Sequence, residues 1–210
     1  MKTTSFLITT LLACTALAQD PLCIVTPSQL CYTGSIPNMQ MDWPAGTHVS
    51  IPQFDPERGT LLSVQVSMSG VIHKLLGAER IDAIGYNGWI GSYLSAWLEV
   101  DLPTGVPVIS ASSQLRYIDR VALGPFDGLL NYAGTSGVTI ARDIPVNGVS
   151  VLTEDLAAFI GADDVNLPAK AWAKAGMGAN GSGWDFILRT SATITVDVCY
   201  TYIEDDEDDD

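Results

Sequence analysis

Two tryptophans sit where a strand would turn them toward water, and an indole in that position can stack on a sugar ring or anchor a protein interface. Trp97 lies among Ser95, Glu99 and Asp101, and Trp172 lies between Lys170 and Lys174. Each offers a large rigid apolar plate at low entropic cost. The plainer reading is that a loop or neighbouring strand covers each one, and it carries more weight because large aromatics are mostly buried. Trp43, Trp89 and Trp184 lie near turns, where they suit plugging the ends of a sandwich.

Acids are the second source of chemistry. Asp55 with Glu57, and Asp163 with Asp164, are candidate calcium clusters, because carboxylate and carbonyl oxygens are what that ion takes. The plainer reading is a turn opener at Asp55-Pro56 and a solvated loop at Asp163-Asp164, and the EF-hand pattern is missing. No other cofactor is implied. A glycosidase needs two carboxylates roughly 5 to 10 Å apart in a cleft, but with 24 acids some pair meets that by chance. His48 and His73 stand in no ligand or triad spacing, and HExxH, CxxC, GxSxG and the P-loop are all absent. No catalytic residue is assigned.

Charge and the two termini bound the partners. The net charge is −14, and seven acids fill the tail from Glu204 to Asp210. Without that tail and the leader the folded part is still about −8, a field that repels phosphate backbones and argues against nucleic acid. The leader has Lys2, an apolar run from Phe6 to Ala13, and small residues at Ala16 and Ala18, the three zones of a secretory signal peptide. The reading is therefore a signal peptide over 1–18, one β-sandwich domain over 19–203 and a disordered acidic tail over 204–210. A competing reading makes Leu11-Leu12-Ala13-Cys14 a lipoprotein box with Cys14 lipidated, which would hold the product at the cell surface. No later stretch is apolar for long enough to span a membrane as a helix. Asn180-Gly181-Ser182 accepts a glycan only in a eukaryotic secretory pathway.

Cys23, Cys31 and Cys199 remain after cleavage, enough for one disulfide and one free thiol. Cys31 to Cys199 is favoured over Cys23 to Cys199, since both side chains of the first pair fall on polar strand faces that meet if the first and last strands are neighbours.

These residues are carried by strands. From Ser191 to Tyr202 apolar and polar side chains alternate, with Ala192, Ile194, Val196, Val198, Tyr200 and Tyr202 on one face, the period-two signature of a sheet wet on one side. Leu94, Ala96, Leu98, Val100 and Leu102 repeat it, with Trp97, Glu99 and Asp101 outward. So do Leu62, Val64, Val66, Met68 and Ile72. Further strands are expected at Gln29 to Ile36, His48 to Phe54, Val106 to Ser112, Leu115 to Leu123, Val138 to Arg142 and Val149 to Leu152. Asn87-Gly88 is suited to a tight hairpin and Asn147-Gly148 reads as a break between strands. Thr153 to Phe159 is the one helix-like stretch, with Thr153 as its cap, and Val165 to Ala175 with Trp184 to Tyr202 reads as a closing hairpin. The fold class is all-β: a single antiparallel, jelly-roll-like sandwich with at most one short helix.

Ser50-Ile51-Pro52-Gln53-Phe54-Asp55-Pro56 followed by Gly59-Thr60-Leu61 resembles the N-terminal signature of the choice-of-anchor E domain, a family of exported, mostly bacterial proteins. Leu123 to Gly128, Asp155 to Gly161 and Thr193 to Tyr202 are similar to it in the same order. The resemblance implies delivery to the cell surface or beyond, and no activity. Members usually end in a sorting signal; here only Ile203 and then acids follow Tyr202, which favours free release. The expected function is a non-catalytic secreted matrix, surface or binding component. The alternatives are a glycan-binding module using Trp97 and Trp172, and a secreted carboxylate-dependent hydrolase.

Overall fold

A computed structural model describes residues 6–8, 26–82, 88–115 and 119–205. Cys14, Cys23, Asn87 and the tail beyond Asp205 lie outside the described residues, as does the leader apart from 6–8. Among the described residues ten strands run in order: β1 (Phe6–Ile8), β2 (Ser28–Gln40), β3 (His48–Pro52), β4 (Thr60–Arg80), β5 (Gly88–Asp101), β6 (Pro107–Leu115), β7 (Val121–Leu123), β8 (Gly137–Leu152), β9 (Asp164–Ala179) and β10 (Trp184–Ile203). Two single turns of 3-10 helix, Pro56–Arg58 and Leu156–Phe159, complete the set.

The strands form two antiparallel sheets, β1-β2-β10-β4-β8 and β3-β9-β5-β6, with β7 beside β5. Early strands pair with late ones: β2 with β10, β3 with β9, β4 with β8 and β5 with β6. That is one long hairpin wrapped into a double-sheet jelly roll.

Alternation does the positioning. Val64, Val66, Met68 and Ile72 of β4 and Ile194, Val196, Val198 and Tyr200 of β10 face Leu94, Leu98 and Val100 of β5 and Val165 and Leu167 of β9 in one apolar core. Burying each such side chain is worth about 1.5–3 kcal/mol. Phe54, Phe159, Tyr200 and Tyr202 close one end, and the Tyr200 hydroxyl donates to the Pro52 carbonyl at 2.8 Å.

Several expectations are corrected. Leu62 is exposed and Leu61 packs on the core instead, because a bulge between Thr201 and Tyr202 shifts the β10–β4 register and reverses the facing. Asp101 keeps the outward parity of Trp97 and Glu99 yet is buried there, its carboxylate held by the same Lys170 that bonds Glu99. Asn147-Gly148 is no break: β8 runs through it, and a Cβ at Gly148 would lie 2.4 Å from Ile109 Cγ2, so the glycine serves close approach. Thr153 caps nothing, since Asp155 is the residue before the short Leu156–Phe159 turn. β9 and β10 are not a hairpin; they belong to different sheets, and Gly181 and Gly183, both at positive φ, carry the chain across.

Candidate functional site

Trp97 and Trp172 meet. They stand 75 residues apart in the chain, yet the β5–β9 register sets them directly opposite, their rings stacked with centroids 5.8 Å apart and planes within 13°. Cross-strand aromatic pairs of this kind are a unit of sheet stabilisation. The outer row continues across β5 to Ser112 of β6, and the row beside it holds Lys170, Glu99 and Ser110. Trp172 remains 37 % exposed, and Trp97 is half-buried beside it. Each indole thus lies against the other.

Charge frames the pair on one side. The Lys170 ammonium reaches Glu99 at 3.0 Å and Asp101 at 2.5 Å, and hydrogen bonding to Asp101 first and Glu99 second holds its pKa above the ordinary lysine value. The other Asp101 oxygen, Oδ1, is buried without a partner. The face thus presents an aromatic rib, hydroxyls from Ser110 and Ser112, and an ion pair with donors and acceptors in reach of a polyhydroxylated ligand.

The acid pairs behave differently. Asp55 accepts the Glu57 N–H at 3.0 Å and opens the 3-10 turn, while Asp164 accepts the Ser50 hydroxyl at 2.9 Å. Among the described residues no group of three His, Cys, Asp or Glu side chains is placed to hold a metal ion. His48 bonds the Gly46 carbonyl at 2.8 Å, and His73 bonds Asp143 at 2.7 Å on the surface. Cys31 and Cys199 lie opposite each other on β2 and β10 and form the disulfide.

An apolar cleft of about 580 Å³ opens between the sheets where β9 and β10 outrun their neighbours. Ala173, Ala175 and Met177 line one wall, Phe186 and Leu188 the other, with Trp184 at the end, and its lining includes no carboxylate.

Sequence reasoning missed the buried charges of β4. Lys74 continues the parity of Val64, Val66 and Ile72, so it points inward. It donates there to Ser92 and Asp119, all three buried, and Arg142 donates to the other Asp119 oxygen at 2.9 Å. Burial pushes the Asp119 carboxyl up, but hydrogen bonds from Lys74 and Arg142 outweigh it and hold the pKa below the ordinary value. Glu79 repeats the arrangement, accepting the Ser136 hydroxyl at 2.5 Å and the Tyr132 N–H at 2.7 Å. The parity of Lys74 was the available signal; its partners come from distant segments.

No family model matches the chain, and no curated protein does. Among solved structures it is similar to VP2 of infectious bursal disease virus. The subviral particle shares 14 % identity at TM-score 0.22 over 91 % of this chain and 42 % of that one. The Gx strain shares 12 % at 0.20, over 92 % and 42 %. The chain spans less than half the length of these viral proteins, and scores of this size assign no role.

Proposed function

We propose that this protein is a non-catalytic extracellular β-sandwich that binds a glycan across the outer face of the β3-β9-β5-β6 sheet. The Trp97–Trp172 rib carries the reading: two indoles brought together on a wetted face, one still 37 % exposed, beside serine hydroxyls and the Lys170–Glu99 pair. Stacking on the free indole surface supplies affinity, and neighbouring polar groups supply orientation. The leader, the disulfide and the resemblance to an exported family support the extracellular setting.

The test is a glycan array probed with the wild type, Trp97→Ala and Trp172→Ala. Binding by the wild type that falls at least tenfold in Trp172→Ala is expected. A wild type that binds no glycan, or variants that bind as it does, would discard the reading.

A second reading, a matrix component that associates with its own copies, rests on β8. It ends its sheet, and Val149 and Val151 are 65 % and 58 % exposed on it, an apolar edge open to strand addition. Concentration-dependent association in light scattering, abolished by Val151→Lys, is its signature; a monomer at every concentration rejects it.

A further inference from the structure

We infer that Lys74 and Asp119 react with each other to form a side-chain amide that bolts the two sheets together. Four observations carry it. Both side chains are fully excluded from solvent, at 0 % exposure each. The Lys74 nitrogen is in hydrogen-bond contact with Asp119 Oδ2, so nucleophile and carboxyl carbon are already held as a near-attack pair. Ser92 touches both: it accepts from Lys74 and donates to the same Oδ2 at 3.1 Å. Arg142 donates to Oδ1 at 2.9 Å, placing a cation on the oxygen that becomes negative as the nitrogen adds.

The reaction balances within the cluster. Ammonium and carboxylate start as an ion pair whose burial is costly in a medium of low dielectric. One proton passes from Nζ through the Ser92 hydroxyl to Oδ2, leaving a free amine and a neutral acid. The amine lone pair attacks Cγ, and Arg142 stabilises the oxyanion on Oδ1. The Cγ–Oδ2 bond then breaks, and Oδ2 departs as water with a second proton from nitrogen. One amide N–H remains, no electrons are exchanged, and no further reagent is needed. Two desolvated charges are replaced by a neutral group whose carbonyl still accepts from Arg142. Back-reaction requires water to return to a site that excludes it.

The placement gives the bond a purpose. Lys74 belongs to β4 in one sheet, while Asp119 lies two residues before β7, which pairs β5 in the other. The Cys31–Cys199 disulfide joins neighbours within one sheet, so the amide would be the covalent tie between layers.

Tryptic mapping of the denatured full-length wild type by mass spectrometry tests it. Trypsin cannot cut after an acylated lysine, so peptide 59–80 should appear intact and joined to 117–120, with the summed mass short by one water. Release of an unmodified 59–74 peptide as the main product would overturn the inference. Lys74→Arg should show no joined species, and Ser92→Ala, which keeps both reactants, should reduce it at least tenfold. An undiminished joined species in Ser92→Ala would overturn the relay assigned to that serine.

Discussion

Between Val64 and Ile72, strand β4 turns only hydrocarbon inward; from Lys74 to Arg80 the same strand also buries charge, Lys74 on the inward side with Leu76 and Ala78 and Glu79 on the opposite face. The first half meets the Leu98 and Ile194 side of the core, where any apolar group of suitable volume gains from burial. The charges of the second half meet Ser92, Asp119 and Ser136 through directed hydrogen bonds. Hydrocarbon is tolerant because its attraction has no direction, whereas a buried ion without its counterpart keeps the whole cost of desolvation. One half should therefore fail by degrees and the other all at once.

Asp119→Ala is the sharpest way to test that contrast, since it strands Lys74 without a counter-charge. Urea unfolding should show a loss of about 3–5 kcal/mol. Ile72→Val, two residues from Lys74, should lose only about 0.5–1.5 kcal/mol. Equal losses would erase the distinction. Reducing the disulfide, which lies in the apolar half, comes next at about 2–4 kcal/mol, read from the shift in urea midpoint. Alkali gives the smallest effect. Burial, then Tyr32 and Asp164, push the Tyr200 phenol well up. The folded group stays neutral where the unfolded one ionises, so its contribution is complete below about pH 10 and drains away as pH rises beyond it. Tyr200→Phe should flatten that alkaline slope in melting temperature and cost about 1 kcal/mol at neutral pH for the lost bond to Pro52.

What could be read from the residues alone was sidedness. Parity placed Trp97 and Trp172 outward and Ile194 to Tyr200 inward, and the Cys31–Cys199 pairing came from polar faces on first and last strands. Contact between the two indoles was not legible, because it depends on the β5–β9 register, which nothing local in either strand specifies. A bulge defeated parity at Leu62, where one extra residue reverses the facing of its neighbours, while Asp101 keeps its outward side and is buried there against Lys170. Gly148 misleads because a glycine that admits a neighbour looks, in one dimension, like a glycine that turns a chain. Lys74 escapes notice for a related reason: its inward parity is visible, but an inward lysine makes sense only once Asp119 is beside it.

The central position of β10 has a consequence for how the molecule comes into being. β10, the last strand among the described residues, is flanked by β2 and β4, so neither gains its central neighbour before residues 184–203 are made. Contacts this distant along the chain make for slow closure. That sheet therefore stays unseamed at its middle until a segment more than a hundred residues downstream of β4 arrives to fill it.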